Sequence, residues 1–385
     1  MRKIYKFVLS TITAISLVLS MTSCSAGHDD YQGAGILMGT YFSSNFRSVG
    51  VGTGEKVWSE LVDLGEALEE DTLSWRVEGS EVCSINEAKD KSHIKLSDNL
   101  AGYLYLCQEV SEKSDGAFDI TIGELTKLWN IDEAAMWQTS SDQQLSPNAP
   151  SASDTPEVSI VPSKADIEEK LAVSGYDKLI LKDGFISILD GMSLDLGAIG
   201  KGIYLDEVYR TSKGKIEYGV ISAGGSILTI GSREGSPWKI GIVDPFDTSK
   251  TLVKLKLDGD NFISTSGDYE RFFYKDGKKY HHILDPRTGY PAESGLKSVT
   301  VIIKVNLERP AYESSYQLAH DNAYDNTYEN TYYGTLTDAL STAIFVLGEE
   351  KGIELAREYD AQIILVRTDG TIYYSEDVME EIVND

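Results

Sequence analysis

One segment combines glycines with two charged side chains in a way that suits phosphate binding. Three glycines lie within six residues between Asp195 and Gly202, and glycine allows a ligand to approach the backbone closely. A helical pattern begins at Gly202, and the N–H groups at the start of a helix bind phosphate. Lys201 adds a point charge, and Asp195 can accept hydrogen bonds from a heterocycle or help to hold a metal. The Walker spacing is absent, so on pattern alone a tight strand-to-helix turn is about as well supported.

A second segment, Thr337 to Ala343, places a carboxylate and a hydroxyl one helical turn apart. Asp338 and Thr342 are four residues apart and therefore share one face of a helix. Oxygen ligands of this kind suit Mg²⁺, a hard cation. The alternative is an N-cap Asp or Thr beside a small-residue packing face, and the pattern taken alone favours that alternative.

Two further segments carry polar turns. Ser264 to Tyr269 is followed by Tyr280 to Pro291, which contains a histidine pair next to Asp-Pro-Arg-Thr-Gly. His282 is a candidate general base near pH 7, and the alternative is a histidine whose hydrogen bonds are satisfied within a turn. The other segment, Ser114 to Thr121, is by itself typical of a turn followed by a strand.

The elements that must position these residues are a mixture of strands and helices. Strand pairs are predicted around Asp-Gly turns at 183–184, 276–277 and 369–370. Helices are predicted over 55–70, 96–110 and 165–173, and over 337–359 with a break near Gly348. There is no regular alternation of strand and helix, which indicates an α+β fold with mixed, largely antiparallel sheets and packed helices.

The N-terminus resembles an export signal. Arg2, Lys3 and Lys6 precede an apolar stretch that is short for a membrane span. Small residues then lead to Cys24, as in a bacterial lipobox, which implies cleavage before Cys24 and lipidation of its thiol. We therefore expect a signal peptide over 1–23, a lipidated tether over 24–35 and an exported, membrane-anchored protein. The alternatives are an ordinary signal peptide or a weak anchor helix, with Cys24 incidental.

Composition excludes several classes of protein. The chain has 385 residues, 35 basic against 61 acidic, and a net charge of −26, so nucleic-acid binding is not expected. Any anionic ligand must be held locally by a metal, a lysine or backbone N–H groups. Cys83 and Cys107 fall in half-buried patterns and are predicted to be free core thiols, although an exported protein can pair them. No zinc site of the usual kind is visible.

Two stretches differ in composition from the rest. Residues 138–163 are rich in Ser, Pro, Gln and Asp and are typical of a linker or surface loop. Residues 321–332 repeat one tetrapeptide three times, as DNAY, DNTY and ENTY. A repeat this polar favours a surface insertion, at about 305–335, over a tyrosine-lined contact for a partner or the cell wall.

In their order along the chain these segments resemble the ApbE family, the FAD:protein FMN transferases of the bacterial periplasm and cell surface. The resemblance runs from residue 36 to about 350, and it implies a single catalytic domain over 36–385. The matching residues are Met38-Gly39-Thr40, Leu73-Ser74, Ser80-Glu81-Val82, Asn86, Gly116 to Thr121, Leu194 to Gly202, Gly224-Gly225, Trp238 to Ile242, Asp244-Pro245, Thr265 to Tyr269, His282 to Pro291 and Asp338 to Gly348.

The resemblance implies Mg²⁺-dependent transfer of FMN from FAD to a threonine hydroxyl of an exported or membrane flavoprotein, with release of AMP. It also implies roles for individual residues. The implied metal-site residues are Ala198, Asp338, Ser341 and Thr342. The implied flavin-nucleotide contacts are Met38, Trp75, Ala117, Phe118, Asp119, Asp195, Lys201 and Ile283. The implied catalytic residues are His282, as the base for the incoming threonine, and Asp268, as an orienting carboxylate.

The chain departs from the family pattern in places that concern the partner more than the chemistry. Glu124 stands where the family usually has proline, and Ser222-Ala223 stands where a polar pair usually precedes Gly224-Gly225. Two other functions remain open: a Mg²⁺-dependent FAD pyrophosphatase giving FMN and AMP, and a lipoprotein that binds flavin without turnover.

Overall fold

The computed structural model describes residues 23–25, 28–135, 161–306 and 332–383. The strands are β1 (Ser23–Ser25), β2 (His28–Leu37), β3 (Thr40–Ser48), β4 (Ile94–Lys95), β5 (Ile180–Lys182), β6 (Phe185–Ser187), β7 (Ile216–Ala223), β8 (Ser226–Ile230), β9 (Trp238–Asp244), β10 (Asp247–Leu257), β11 (Asn261–Gly267), β12 (Phe272–Lys275), β13 (Lys278–His281), β14 (Leu284–Asp285), β15 (Tyr290–Pro291), β16 (Leu296–Lys304), β17 (Gln362–Arg367) and β18 (Ile372–Tyr374). The α-helices are α1 (Gly54–Ala67), α2 (Glu81–Glu87), α3 (Asp98–Lys113), α4 (Gly123–Trp129), α5 (Lys164–Val173), α6 (Gly200–Ser212), α7 (Tyr333–Leu347), α8 (Glu349–Glu358) and α9 (Glu376–Glu381).

A nine-stranded sheet forms the centre of the molecule, in the order β1-β2-β3-β7-β8-β11-β16-β17-β18. Every pairing in it is antiparallel. Smaller two- and three-stranded sheets surround it. The predicted α+β fold with largely antiparallel sheets and packed helices is therefore confirmed.

Strand β16 shows why the sheet is covered on both faces. Its residues are buried almost throughout, whereas a strand with one wet face alternates between buried and exposed. Val299, Val301 and Ile303 pack in the large core shared with α3, α6 and α7. Ile302 packs in a second core that contains Trp238 and Leu255 of the β9–β10 pair. The molecule is thus layered as helices, sheet and a two-stranded ribbon.

The local sequence signals correspond to real elements. All three Asp-Gly turns connect antiparallel strands, namely β5–β6, β12–β13 and β17–β18. The predicted C-terminal helix is divided into α7 and α8 at Gly348, whose φ of 81° is unfavourable for other residues. Because α7 begins at Tyr333, Asp338 lies inside the helix, so the N-cap alternative for this residue is wrong.

Cys83 and Cys107 are buried and unpaired, as predicted. Residues 1–22 of the predicted signal peptide, most of the 138–163 loop and nearly all of the tyrosine repeat lie outside the described residues. Tyr332, the last residue of the repeat, is described, and its ring lies 5.1 Å from that of Tyr103 in an edge-to-face contact. Within the ranges given above, no helix is long and apolar enough to cross a membrane.

Candidate functional site

A cavity of about 700 Å³ opens where the first turn of α6, the end of β11 and one face of α7 meet. Its remaining walls come from residues 117–133 and 282–286, together with the segment after α1. Its volume is in the range of ligand sites for molecules of drug or cofactor size. Eleven of the fourteen site residues predicted from the sequence line this cavity, although they are scattered over nearly 270 positions of the chain.

Helices α6 and α7 cross at two glycines, which brings the two chemical motifs together. A Cβ atom at Gly202 would lie 2.2 Å from the carbonyl oxygen of Gly334, so only glycine permits this approach. The Gly202 N–H then donates to Asp338 Oδ2 at 2.7 Å. The Asp338 carboxylate therefore lies at the N-terminus of α6, where the helix dipole stabilises negative charge.

The Asp338 carboxylate is held by three protein donors. Oδ1 accepts from the Ser226 hydroxyl at 2.6 Å and from the Ser264 hydroxyl at 2.5 Å, in addition to the Gly202 bond on Oδ2. A carboxylate has about four lone-pair sites, so one remains for a further ligand. The side chain is 3% exposed, and that exposure is toward the cavity.

The donors around Asp338 fit a hard cation. Thr342 and Ala198 also line the cavity; Thr342 carries a hydroxyl, and the only oxygen that Ala198 has is its backbone carbonyl. Over the described residues, no group of three or more His, Cys, Asp or Glu side chains could hold a metal ion. An oxygen-only set with a single carboxylate is the chemistry that Mg²⁺ prefers and that zinc or copper sites lack.

Ser341 is placed differently from its predicted role. It does not line the cavity, and its hydroxyl donates to the Asp338 carbonyl at 3.0 Å. Its oxygen also lies 2.8 Å from the Ser266 hydroxyl, which does line the cavity and lies 3.3 Å from Thr342 Oγ1. Ser341 therefore holds Ser266 by a hydrogen bond. The geometry does not support a direct contact between Ser341 and a metal.

The loop before α6 is fastened to the opposite wall of the cavity. Asn86 donates to the Leu194 carbonyl at 2.9 Å and accepts from the Leu194 N–H at 2.7 Å. The Asp195 N–H donates to the Ile120 carbonyl at 2.8 Å, and Asp195 Oδ1 accepts from the Gly197 N–H at 2.8 Å. These hydrogen bonds fix the position of the glycine loop, which contains Ala198.

Asp119 lines the cavity, but both of its carboxylate oxygens accept hydrogen bonds from backbone N–H groups. Oδ1 accepts from the Thr121 N–H and Oδ2 from the Tyr176 N–H, each at 2.8 Å. Burial raises the pKa of Asp119, and these two hydrogen bonds oppose the rise. Its neighbours Ala117 and Phe118 complete an apolar part of the wall.

The imidazole of His282 is held in its neutral form. Its Nδ1 lies 3.3 Å from the Arg271 carbonyl oxygen, which can only accept, so Nδ1 carries the proton and Nε2 has the free lone pair. Burial lowers the pKa of His282 well below its ordinary value, and the positive charge of Arg271 adds to this effect. A neutral imidazole at pH 7 with a free Nε2 can accept a proton from a hydroxyl.

Cationic and aromatic side chains form the mouth of the cavity. The Arg76 guanidinium lies 4.1 Å and the Lys127 ammonium 5.3 Å from the Trp75 ring centre. Asp132 bridges Arg76 and Arg271 at 3.7 Å and 3.3 Å. Among the described residues, four cations line the cavity beside seven carboxylates, so any attraction for an anionic ligand comes from individual cations and not from a net positive charge.

Two other predicted residues lie away from the cavity lining. Strand β11 ends at Gly267, and the carboxylate of the next residue, Asp268, is paired with the ammonium groups of Lys279 at 3.1 Å and Lys297 at 3.0 Å. A direct catalytic contact by Asp268 therefore lacks geometric support. Met38 occupies the β2–β3 turn, and a Cβ atom built at Gly200 would lie 3.3 Å from its Cε. Met38 packs behind the first turn of α6.

Several cavity residues were not singled out from the sequence. Ser266, Glu270 and Arg271 all line the cavity; Ser266 belongs to the same motif as Asp268, and Glu270 and Arg271 directly follow that motif. Burial raises the pKa of Glu270, and Lys201 and Arg271 oppose the rise. The sequence signal that could have identified Ser266 is the alternation of serines along β11, which places Ser264 and Ser266 on one face of the strand. Ser264 is hydrogen-bonded to Asp338, and Ser266 is hydrogen-bonded to Ser341.

Known proteins resemble this chain in sequence. The sequence model of the ApbE family matches residues 38–312. An FAD:protein FMN transferase of Klebsiella pneumoniae (strain 342) is 34% identical over 245 residues, which cover 62% of this chain and 68% of that protein. Another, from Haemophilus influenzae, is 26% identical over 379 residues and covers 94% of both chains.

Solved structures extend the likeness to the whole fold. The ApbE protein of Thermotoga maritima has a TM-score of 0.69 at 26% identity, covering 92% of this chain and all of that one. The flavin transferase ApbE from Vibrio cholerae has a TM-score of 0.70 at 24% identity and shares the fold over 92% of this chain. The resemblance seen in the motifs is confirmed, and the chain belongs to the ApbE family.

Proposed function

We propose that this protein is an FAD:protein FMN transferase that uses Mg²⁺ to move FMN from FAD to a threonine hydroxyl of a partner protein, releasing AMP. The observation that supports the proposal is that one cavity brings together three residues whose oxygens suit a hard cation (Asp338, Thr342 and Ala198), the neutral imidazole of His282, and cationic side chains. Relatives that carry the name FAD:protein FMN transferase support the same reaction.

Different residues of the cavity would bind different parts of the dinucleotide. Asp338, Thr342 and the Ala198 carbonyl would hold the cation, with Ser266 beside them. The bound cation would neutralise charge on the pyrophosphate and on the departing AMP. Lys201, in the first turn of α6, adds a positive charge beside the helix N-terminus. Positioning and charge neutralisation account for most of the catalysis of phosphoryl-type transfer.

His282 would assist the acceptor. The threonine oxygen attacks the phosphorus of the FMN half, forming a phosphodiester bond between threonine and FMN. The bond from that phosphorus to the bridging oxygen breaks, and AMP leaves with the oxygen. The hydroxyl proton passes to His282 Nε2, which is free because Nδ1 is engaged with the Arg271 carbonyl. No covalent intermediate on this chain is required.

We infer an exported location from the N-terminal sequence alone. A basic start, a short apolar stretch and Cys24 after small residues support a lipoprotein anchored to the membrane through that cysteine. The acceptor would then be an exported or membrane-bound flavoprotein. Labelling cells with a lipid precursor, followed by mass spectrometry of the N-terminal peptide, tests the anchor. An unmodified Cys24 or an uncleaved N-terminus would contradict it.

Transfer itself is tested with the purified protein, FAD, MgCl₂ and a candidate acceptor domain that carries a surface threonine. The expected result is an acceptor that gains the mass of one FMN less one water, with one AMP released per adduct and no adduct in EDTA. Replacing the acceptor threonine by valine is the matched control and should abolish the adduct. Free FMN and AMP without an adduct would indicate the pyrophosphatase instead, and binding without turnover would indicate a flavin-binding protein.

A further inference from the structure

Helices α6 and α7 each carry a buried carboxylate that lies at the N-terminus of the other helix. Asp338 on α7 accepts the Gly202 N–H of α6 at 2.7 Å. Asp206 on α6 accepts the Gly334 N–H at 2.7 Å, the Thr335 N–H at 2.9 Å and the Thr335 hydroxyl at 2.6 Å, all in the first turn of α7. The two helices therefore satisfy each other's unpaired N–H groups.

The two helices are packed too closely at this point to move nearer to each other. At the crossing, a Cβ atom at Gly334 would lie 2.4 Å from the Gly202 carbonyl oxygen, so the two backbones are already in contact. Asp206 is fully buried, and neither it nor Thr335 lines the cavity. The axial position of α7 against α6 is consequently set by backbone contact and by the three hydrogen bonds of Asp206.

The proposed cation ligands lie on α7 and on the loop that leads into α6, so their spacing depends on this crossing. Asp338 and Thr342 belong to α7, whereas Ala198 belongs to the loop that leads directly into α6. A shift of α7 relative to α6 changes the distance between the two halves of the site.

We propose that Asp206 is a positioning residue of the metal site: by holding the first turn of α7 on α6, it sets the geometry in which Asp338, Thr342 and the Ala198 carbonyl bind a divalent cation. This inference rests on the proposed Mg²⁺ site and extends it to a residue that touches neither cation nor flavin. Replacing a residue that orients metal ligands without touching the metal typically changes metal affinity by about 10- to 100-fold.

The neighbouring residue on α6 provides a matched control. Glu207 is also a buried carboxylate, at 7% exposure, and accepts from the Tyr103 hydroxyl at 2.7 Å and from Arg210 at 2.9 Å. None of these bonds reaches α7. Asp206→Asn and Glu207→Gln each replace a buried carboxylate of α6 by the corresponding amide. Only Asp206→Asn changes the hydrogen bonds between α6 and α7.

The test is calorimetric titration of the full protein with MgCl₂, without FAD, at pH 8, alongside urea unfolding of each variant. Burial raises the pKa of Asp206 to about 7, so pH 8 favours its ionised carboxylate. We expect Asp206→Asn to weaken Mg²⁺ binding by about 10-fold or more, with Glu207→Gln unchanged. Wild-type affinity in folded Asp206→Asn, or equal weakening in both variants, would overturn the inference.

Thr335→Val is the second variant, for the case in which Asp206→Asn does not fold. It removes one of the three donors to Asp206 and keeps the side-chain volume. It should weaken Mg²⁺ binding measurably but less than the loss of Asp206, and unchanged binding would count against the inference. A wild-type protein that binds no Mg²⁺ would instead refute the proposed metal site itself, so the two failures are distinguishable.

Discussion

Replacing Asp338 by Asn should separate catalysis from folding, because the buried hydrogen bonds can be rebuilt while the charge is lost. In the wild type, Oδ2 accepts from the Gly202 N–H, and Oδ1 accepts from the hydroxyls of Ser226 and Ser264. The Asn carbonyl can take the Oδ2 position and keep the Gly202 bond. Its amide then faces two hydroxyls that rotate to accept, and the Ser264 hydroxyl already has Thr337 Oγ1 within 3.0 Å as another partner.

The magnitude follows from this accounting. Three hydrogen bonds are kept but become neutral, and each changes from about 1.5–3 to about 0.5–1.5 kcal/mol, partly offset by the smaller desolvation of an amide. We expect the free energy of unfolding to fall by no more than about 2 kcal/mol. Loss of the cation site removes several kcal/mol of charge stabilisation, and about 4 kcal/mol corresponds to roughly a 10³-fold loss of rate.

The assay is the rate of AMP release and of acceptor flavinylation at saturating FAD, with urea unfolding on the same samples. Asp338→Ala is the comparison, since it leaves the Gly202 N–H without an acceptor and should cost a further 1–3 kcal/mol or so of stability. An Asp338→Asn variant that transfers FMN at more than about a tenth of the wild-type rate would refute the assignment of Asp338 to the cation. A variant that fails to fold would refute the hydrogen-bond argument.

Three other perturbations test different parts of the structure. Burial and the charge of Arg271 lower the pKa of His282, so Arg271→Gln should raise that pKa and move the acid limb of the kcat/KM pH profile to higher pH; an unmoved limb would exclude His282 as the titrating base. Gly202→Ala puts a Cβ atom 2.2 Å from a backbone oxygen of α7 and should lower the free energy of unfolding by about 1–3 kcal/mol or more. The control is Gly35→Ala, which should have little effect because no atom lies within 4 Å of its added Cβ. Equal urea midpoints for the two variants would contradict the helix crossing. Asp132→Ala removes two exposed ion pairs at the cavity mouth and should change stability by less than about 1 kcal/mol, which thermal unfolding can measure; a larger loss would mean that these pairs are structural.

The local signals in the sequence determined most elements of the fold. The Asp-Gly pairs predict the three outer hairpins because those residues adopt positive φ at little cost, as Asp183, Asp276 and Gly370 illustrate. Periodicity predicts the helices because each buries one face against the sheet. The order of the nine strands was not predictable from these signals, since it depends on pairings between residues far apart in the chain.

The sequence by itself also determined which motifs belong to the site, and through them the ApbE family. Only the tertiary structure decided what each motif residue does. Asp268 and Ser266 are two residues apart in one motif, yet Asp268 is neutralised by two lysines and Ser266 faces the cavity, because the strand ends between them. Asp206 and Asp338 are 132 positions apart, and no local pattern links them. They act together because a glycine crossing, which depends on the absence of two side chains, brings each carboxylate to the other helix's unpaired N–H groups.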